Sequence, residues 1–143
     1  MATGQYIKQP HGSSDLELTT VLSSETLATA SYADSTTPID CRGYRQVDFF
    51  IKVETVASMS TIHVQPEAGQ TIGGVILYAK YLTETVGEGL ATTSVYTVNL
   101  ADPAIQNVTP YKVSLPVEGR YVRLALKATG GTGVVSVYAA RRV

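Results

Sequence analysis

The glycine-rich stretch "ATGGTG" at 128–133 has the composition of a loop whose backbone N–H groups could cradle a phosphate. A Walker-type loop ends in Gly-Lys-Ser/Thr and opens a helix, and a dinucleotide turn likewise needs a helix N-terminus facing the pyrophosphate. Neither follows here, because the next residues, "VVSVYAA", read as a strand. The glycines are therefore expected at the tip of a hairpin between "YVRLALKA" (121–128) and "VVSVYAA" (134–140), where they supply positive φ.

Other chemistry-bearing residues are sparse. His11 and His63 have no second His or Cys at ligand spacing. His63, between Ile62 and Val64 on the polar side of a strand, is expected to be exposed or locally hydrogen-bonded. Cys41 has Arg42 beside it, and a neighbouring cation lowers a thiol's pKa. Without a Cys–His arrangement, Cys41 is expected as a small buried apolar group at a strand end. The acidic residues Asp15, Glu17, Asp34, Asp40, Asp48 and Glu54 scatter through turns and polar strand faces. "NVT" at 107–109 matches a glycosylation acceptor but has no secretory signal to give it meaning. No metal, cofactor or catalytic constellation is assigned, and a non-enzymatic protein is expected.

Two residue groups suit binding rather than catalysis. Arg120, Arg123, Arg141 and Arg142 concentrate positive charge toward the C-terminus, where they could meet an acidic patch on a partner or keep an exposed end wet. Tyr44, Tyr78, Tyr81, Tyr96, Tyr111, Tyr121 and Tyr138 could line a sugar platform. There is no tryptophan, and tyrosines spread over separate segments suit strand-forming and interface roles better.

Strands must position these groups. The chain is 44% apolar and 16% charged with a formal net charge of −1, which indicates neither disorder nor a broad nucleic-acid footprint. One cysteine excludes an internal disulfide, and no apolar run approaches the roughly 18 residues of a membrane span. The opening "MATGQYIKQPHG" lacks the regions of a signal peptide, so folding in the cytoplasm is expected. Residues 1–14 have no hydrophobic period and read as a flexible N-terminal arm, with 15–143 as one domain. In "QVDFFIKVETV" at 46–56, Val47, Phe49, Ile51 and Val53 alternate with Asp48, Phe50, Lys52 and Glu54. Phe50 interrupts the polar face and is expected to be covered by a loop, the arm or a neighbouring chain.

Further strands are expected at 16–22, 26–32, 38–41, 60–66, 75–82, 94–100 and 111–117, with "EAGQTIGG" as a connecting loop. Short strands punctuated by turns predict an all-β fold: an antiparallel β-sandwich, jelly-roll-like, with an extended N-terminal arm.

The succession "ATASYADSTTPIDCRGYRQVDFFIKVETVASMSTIHVQPE", followed by "VEGRYVRLALKATGGTGVVSVYAARRV", resembles small tailed-phage virion structural proteins. The shared features are a strand ending in I-D-x-x-G-Y, a hydrophobic strand after it, and a G-x-Y-V-R-L strand leading through a Gly/Thr turn to the last strand. They span about residues 26–66 and 117–143. The middle departs, with "PEAGQTIGGVILYAKYL" where those proteins often carry an Asp- and Trp-containing segment.

The resemblance implies a capsid decoration (cement) protein that binds the major capsid protein, or a head–tail or tail component bound to another virion protein. It also implies a homo-oligomer, a trimer, located in the virion and assembled in the host cytoplasm, with no nucleic-acid or membrane partner. On that reading Tyr6 and Ile7 anchor the arm, and Phe50, Arg123, Arg141 and Arg142 are the partner-binding candidates. A carbohydrate-binding host-recognition jelly roll is the alternative.

Overall fold

The computed structural model describes residues 17–85, 90–93, 95–100 and 110–143. The expected arm at 1–14, with Tyr6, Ile7 and His11, lies outside the described residues. Among those described the fold is all-β: β1 (Thr19–Thr26), β2 (Asp34–Ser35), β3 (Ile39–Asp40), β4 (Gln46–Thr55), β5 (Thr61–Ile72), β6 (Val75–Lys80), β7 (Leu82–Thr85), β8 (Leu90–Thr93), β9 (Tyr96–Asn99), β10 (Tyr111–Pro116), β11 (Tyr121–Thr129) and β12 (Val134–Arg142).

Two antiparallel sheets pack face to face. The first has the order β1-β12-β4-β10; the second has β2-β11-β5-β6, with β3 also on β11 and β9 also on β5. A two-stranded pair, β7-β8, stands apart. Strand period explains the core. Val47, Phe49, Ile51 and Val53 of β4 are all buried, as their alternation predicts, and they face the buried Val122, Leu124, Leu126 and Ala128 of β11 and Ile62 and Val64 of β5. With both faces thus apolar on one side only, the sandwich is the arrangement that removes the most apolar surface from water.

Three expectations need correction. The stretch 26–32 is not a strand. β1 runs on to Thr26, and Leu27 then turns inward, fully buried, with its N–H on Gly133 O at 3.0 Å and the Ala28 N–H on Asp34 Oδ2 at 2.8 Å. Small polar residues that look strand-like by type are here held by loop hydrogen bonds instead.

The "EAGQTIGG" stretch is not a loop, since β5 continues through it to Ile72 and only Gly73 and Gly74 turn, at φ +57 and +84. Two consecutive positive-φ residues make the tight turn that matches strand twist. Pro66 is tolerated inside β5 for a local reason. Its carbonyl accepts the Tyr81 N–H at 3.1 Å, so its missing donor faces the same edge, where β9 gives way to β6.

The last two strands are not a hairpin. β11 pairs with β5, β2 and β3, whereas β12 pairs with β1 and β4, so "TGGTG" carries the chain from one sheet to the other. It packs on the parallel crossing between β4 and β5, where Ser58 N–H meets Thr132 O at 3.2 Å and Ser60 N–H meets Thr129 O at 2.7 Å. Glycines are needed because the two crossings touch: a Cβ on Gly131 would lie 2.9 Å from Ser58 O, and φ there is +153. In both hydrogen bonds the loop accepts through its carbonyl oxygens, so it serves as a structural crossing.

Candidate interaction surface

At one end of the sandwich the β3–β4 loop, the β10–β11 crossing and the end of β12 meet. Arg45 N–H donates to Arg142 O at 2.9 Å, Val117 N–H to Arg45 O at 2.9 Å, and Cys41 N–H to Arg120 O at 2.7 Å. These bonds bring Arg42, Arg45, Arg120, Arg141 and Arg142 to one end from three chain segments, a convergence that spacing in the sequence does not reveal.

The five side chains differ in use. Arg141 is opposite Val47 in the register and so points between the sheets, where Nη1 donates to Asp40 O at 2.9 Å and the guanidinium lies 4.7 Å from the Tyr44 ring centroid. It joins a β12 position in one sheet to β3 in the other. Arg142 faces outward and donates through Nε to Asp48 Oδ2 at 2.5 Å. Arg42 and Arg120 share one carboxylate oxygen, Asp40 Oδ2, each at 3.3 Å. The Arg42 backbone N–H, joined by the Arg120 side chain and both positive charges, holds the Asp40 carboxyl below its ordinary range, overcoming the opposing effect of desolvation. Arg42 and Arg45 are exposed.

Next to this end the β5–β6 hairpin extends past the sandwich. β11 begins at Tyr121 opposite Gly69, so Gln70–Ile72 pair with β6 alone. Pairing of Gln70 with Leu77 and Ile72 with Val75 puts these four residues on one face. It is the same face that carries Val64 and Ile62 into the core. Ile72, Val75 and Leu77 remain 60%, 63% and 63% exposed. At the base, Ala68, Leu77 and Ala79 with Glu118 and Gly119 of the crossing line an open, mainly apolar cavity of about 260 Å³.

Arg123 lies on the outer face of the second sheet and is already engaged. It is directly opposite Glu67, with Nε to Oε1 at 2.7 Å, and its guanidinium stacks 3.5 Å from the Tyr78 ring centroid. Tyr78 reaches it by lying across Gly69, its direct partner, where a Cβ would come within 2.8 Å of the ring. Phe50 is half-buried on the outer face of the first sheet, flanked in the register by Tyr138 and Lys112. The candidates thus fall in three places: Arg141 and Arg142 at the arginine-bearing end, Arg123 and Phe50 on opposite outer faces.

His63 has its ring nitrogens 3.3 Å from Thr61 Oγ1 and 3.4 Å from Thr97 Oγ1, the local hydrogen bonding its flanks predict. Cys41 is 1% exposed, with Sγ 3.5 Å from Ile39 O. Burial pushes its thiol up to about 11, outweighing the Arg141 charge, so the adjacent Arg42 does not make it a nucleophile. Among the described residues no three His, Cys, Asp or Glu side chains gather as a metal site.

Residue-by-residue reading missed the apolar face of Ile72, Val75 and Leu77 because it took 67–74 as a loop. The signal was present: Gly-Gly between Ile72 and Val75 is the two-residue spacing of a tight hairpin. No family model, curated protein or solved structure matches this chain.

Proposed function

We propose that this protein is a non-enzymatic structural component of a phage virion, a capsid decoration (cement) protein that binds the outer capsid surface as a homotrimer and stabilises the shell. The observation that carries the binding reading is the core-type apolar face at Ile72, Val75 and Leu77, left uncovered beside an arginine-bearing end. Exposed apolar groups rimmed by polar and charged side chains are the usual form of a protein-binding surface.

The virion context comes from the sequence resemblance, and the fold is compatible with it. The order β1-β12-β4-β10 facing β2-β11-β5-β6 supports a jelly-roll reading, because β1, β4, β10 and β12 in one sheet are each linked to strands of the other while β5 and β6 remain neighbours, as a folded-over Greek key requires. Jelly rolls serve both capsids and lectins, so the fold alone does not choose between them. In the capsid role, many copies each add weak contacts between neighbouring subunits, and symmetry multiplies them through avidity. The arm at 1–14, with Tyr6 and Ile7 as anchors, adds a further contact by ordering on the partner surface.

Co-sedimentation with expanded and immature capsids tests this. Binding to expanded capsids, with trimers in sedimentation velocity and weaker binding after deletion of 1–14, is the expected result. Specific binding on a glycan array without capsid binding would replace it with the host-recognition alternative.

A further inference from the structure

The core face of the second sheet does not end where the sandwich ends. β10 stops at Pro116, opposite Gln46, and the chain then crosses to begin β11 at Tyr121. Past that level Gln70, Ile72, Val75 and Leu77 continue the face, and among the described residues the first sheet offers nothing opposite them. An apolar strand face of this kind is stabilised when something removes it from water.

The neighbouring end limits what that something is. The arginine-bearing end and the hairpin share a boundary: Gln70 Oε1 accepts the Arg120 N–H at 2.6 Å, and Gly119 packs so closely on Gly69 that a Cβ would lie 2.8 Å from its carbonyl oxygen. The result is a seat whose wall is the apolar hairpin face and whose floor is the arginine-bearing end.

Five arginines stand at this end against Asp40, Asp48 and Glu118, and Asp48 is buried beneath Arg142. Asp40 is a single carboxylate divided between Arg42 and Arg120. Elsewhere among the described residues Lys52, Lys80, Lys112, Arg123 and Lys127 stand against Glu17, Glu25, Asp34, Glu54, Glu67 and Glu84, which leaves no positive excess there. The excess positive charge is therefore local to the seat.

We propose that this seat binds an acidic segment of a partner protein carrying apolar side chains. The apolar groups pack on Ile72, Val75 and Leu77 and into the cavity between Ala68 and Ala79, while carboxylates pair with Arg42 and Arg45. A basic segment would meet like charge at the floor. A second copy docked about a two-fold axis would set one arginine-bearing end near another, which makes it the poorer fit. The proposal names the partner chemistry for the binding reading above and rests on that reading only in taking the chain to act by binding.

The test titrates the full chain with a fluorescent synthetic peptide of alternating Glu and Val, with the same peptide bearing Lys for Glu, and with oligoglutamate. The Glu/Val peptide is expected to bind, more weakly as salt rises, and the other two to bind at least about tenfold less tightly. Val75→Ser with Leu77→Ser, and separately Arg42→Ala with Arg45→Ala, are each expected to weaken binding by about tenfold. These side chains are exposed, so thermal melting should be kept. If the serine pair melts early, Leu77→Asp serves as the second hairpin variant and is expected to abolish binding.

Equal binding of the Lys/Val peptide, or unchanged binding by the hairpin variants, overturns the proposal. So does a wild-type dimer in analytical ultracentrifugation that Leu77→Asp dissociates, since a second copy would then occupy the seat. The virion reading fails separately. Peptide binding without capsid binding removes the virion context and keeps the seat, whereas capsid binding undiminished in the hairpin variants removes the seat and keeps the virion context.

Discussion

Arg142 Nε donates to Asp48 Oδ2 at 2.5 Å, and the carboxylate it meets has no solvent exposure. Asp48 occupies an outward position of β4, in the alternation that buries Val47 and Phe49, yet it is enclosed on that face. Gln46 Nε2 donates to its other oxygen at 2.8 Å, and Ser114, its direct partner on β10, also hydrogen-bonds to it. Burial alone would raise this carboxyl's pKa, but the Arg142, Gln46 and Ser114 hydrogen bonds and the Arg142 charge outweigh it, so the group lies below its ordinary range.

Removing Arg142 is therefore expected to cost more than removing the carboxylate's charge. Arg142→Met leaves a buried anion without its cation and should lower unfolding free energy by about 3 kcal/mol, while Asp48→Asn, which keeps neutral hydrogen bonding, should lower it by less. The folded-state pKa is depressed, so this stabilisation is present above the unfolded-state value near 4 and is lost as pH falls through the folded value. Urea midpoints at neutral and acid pH check both points. Equal losses for the two variants, or an acid limb unchanged by Asp48→Asn, would count against this account.

Tyr81 ties the edge of one sheet to the other, with Oη donating to Pro116 O at 2.6 Å. Burial pushes the phenol up to about 12. An unfolded tyrosine ionises near 10, so between about pH 10 and 12 the folded chain holds a proton that the unfolded chain has released, and stability falls as pH rises. Tyr81→Phe should lose roughly 1 kcal/mol at neutral pH and show a shallower alkaline decline. Denaturant titrations across that range measure it, and an equally steep decline in the variant would assign the effect to other groups.

Cys41 should be silent toward thiol reagents in the folded state. Its side chain is buried and its pKa is near 11, so near pH 8 it is both shielded and protonated. Modification should proceed only through opening of the β3–β4 end, and Arg141→Ala, which removes the guanidinium spanning Asp40 and Tyr44, should speed it. A disulfide-exchange reagent followed by absorbance gives the rates. Fast labelling of the wild type, or a rate indifferent to Arg141, would argue against the guanidinium as a closure.

What could be read from the sequence was what short-range period determines. Val47, Phe49, Ile51 and Val53 announce a half-buried strand, and Val122, Leu124 and Leu126 another, because alternation depends on two-residue geometry alone. Pairing is a long-range matter. "TGGTG" between two strand-like runs satisfies the local pattern of a hairpin, and nothing in it records that Leu27 and Ser58, distant in sequence, hold the loop as a crossing. The arginines followed the same rule. Their types were legible, but spending Arg123 on Glu67 and Tyr78, and Arg141 between the sheets, depended on register and on which loops converge. Ile72, Val75 and Leu77 were lost to a boundary error, since Gly69 and Pro66 look like breakers until Tyr78 lies across one and a strand handover accommodates the other.

The glycines of the two turns should respond differently to the same substitution. At Gly74, φ is +84 and a Cβ would meet nothing, so Gly74→Ala costs only the strain of a left-handed residue, about 1 kcal/mol. At Gly131, φ is +153 and a Cβ would press on both the side chain and the backbone of Ser58, so the strain and the contact add and the loss should exceed about 2 kcal/mol. The two parts can be separated. Ser58→Gly removes the side-chain contact but not the Ser58 carbonyl or the unfavourable φ, so combined with Gly131→Ala it should recover part of the loss and no more. Full recovery would mean that the backbone at 131 is relaxed and that the glycine is required only to make room for the Ser58 side chain, whereas no recovery would mean that φ and the Ser58 carbonyl require it. Chemical denaturation of the two single variants and the pair reads the coupling directly.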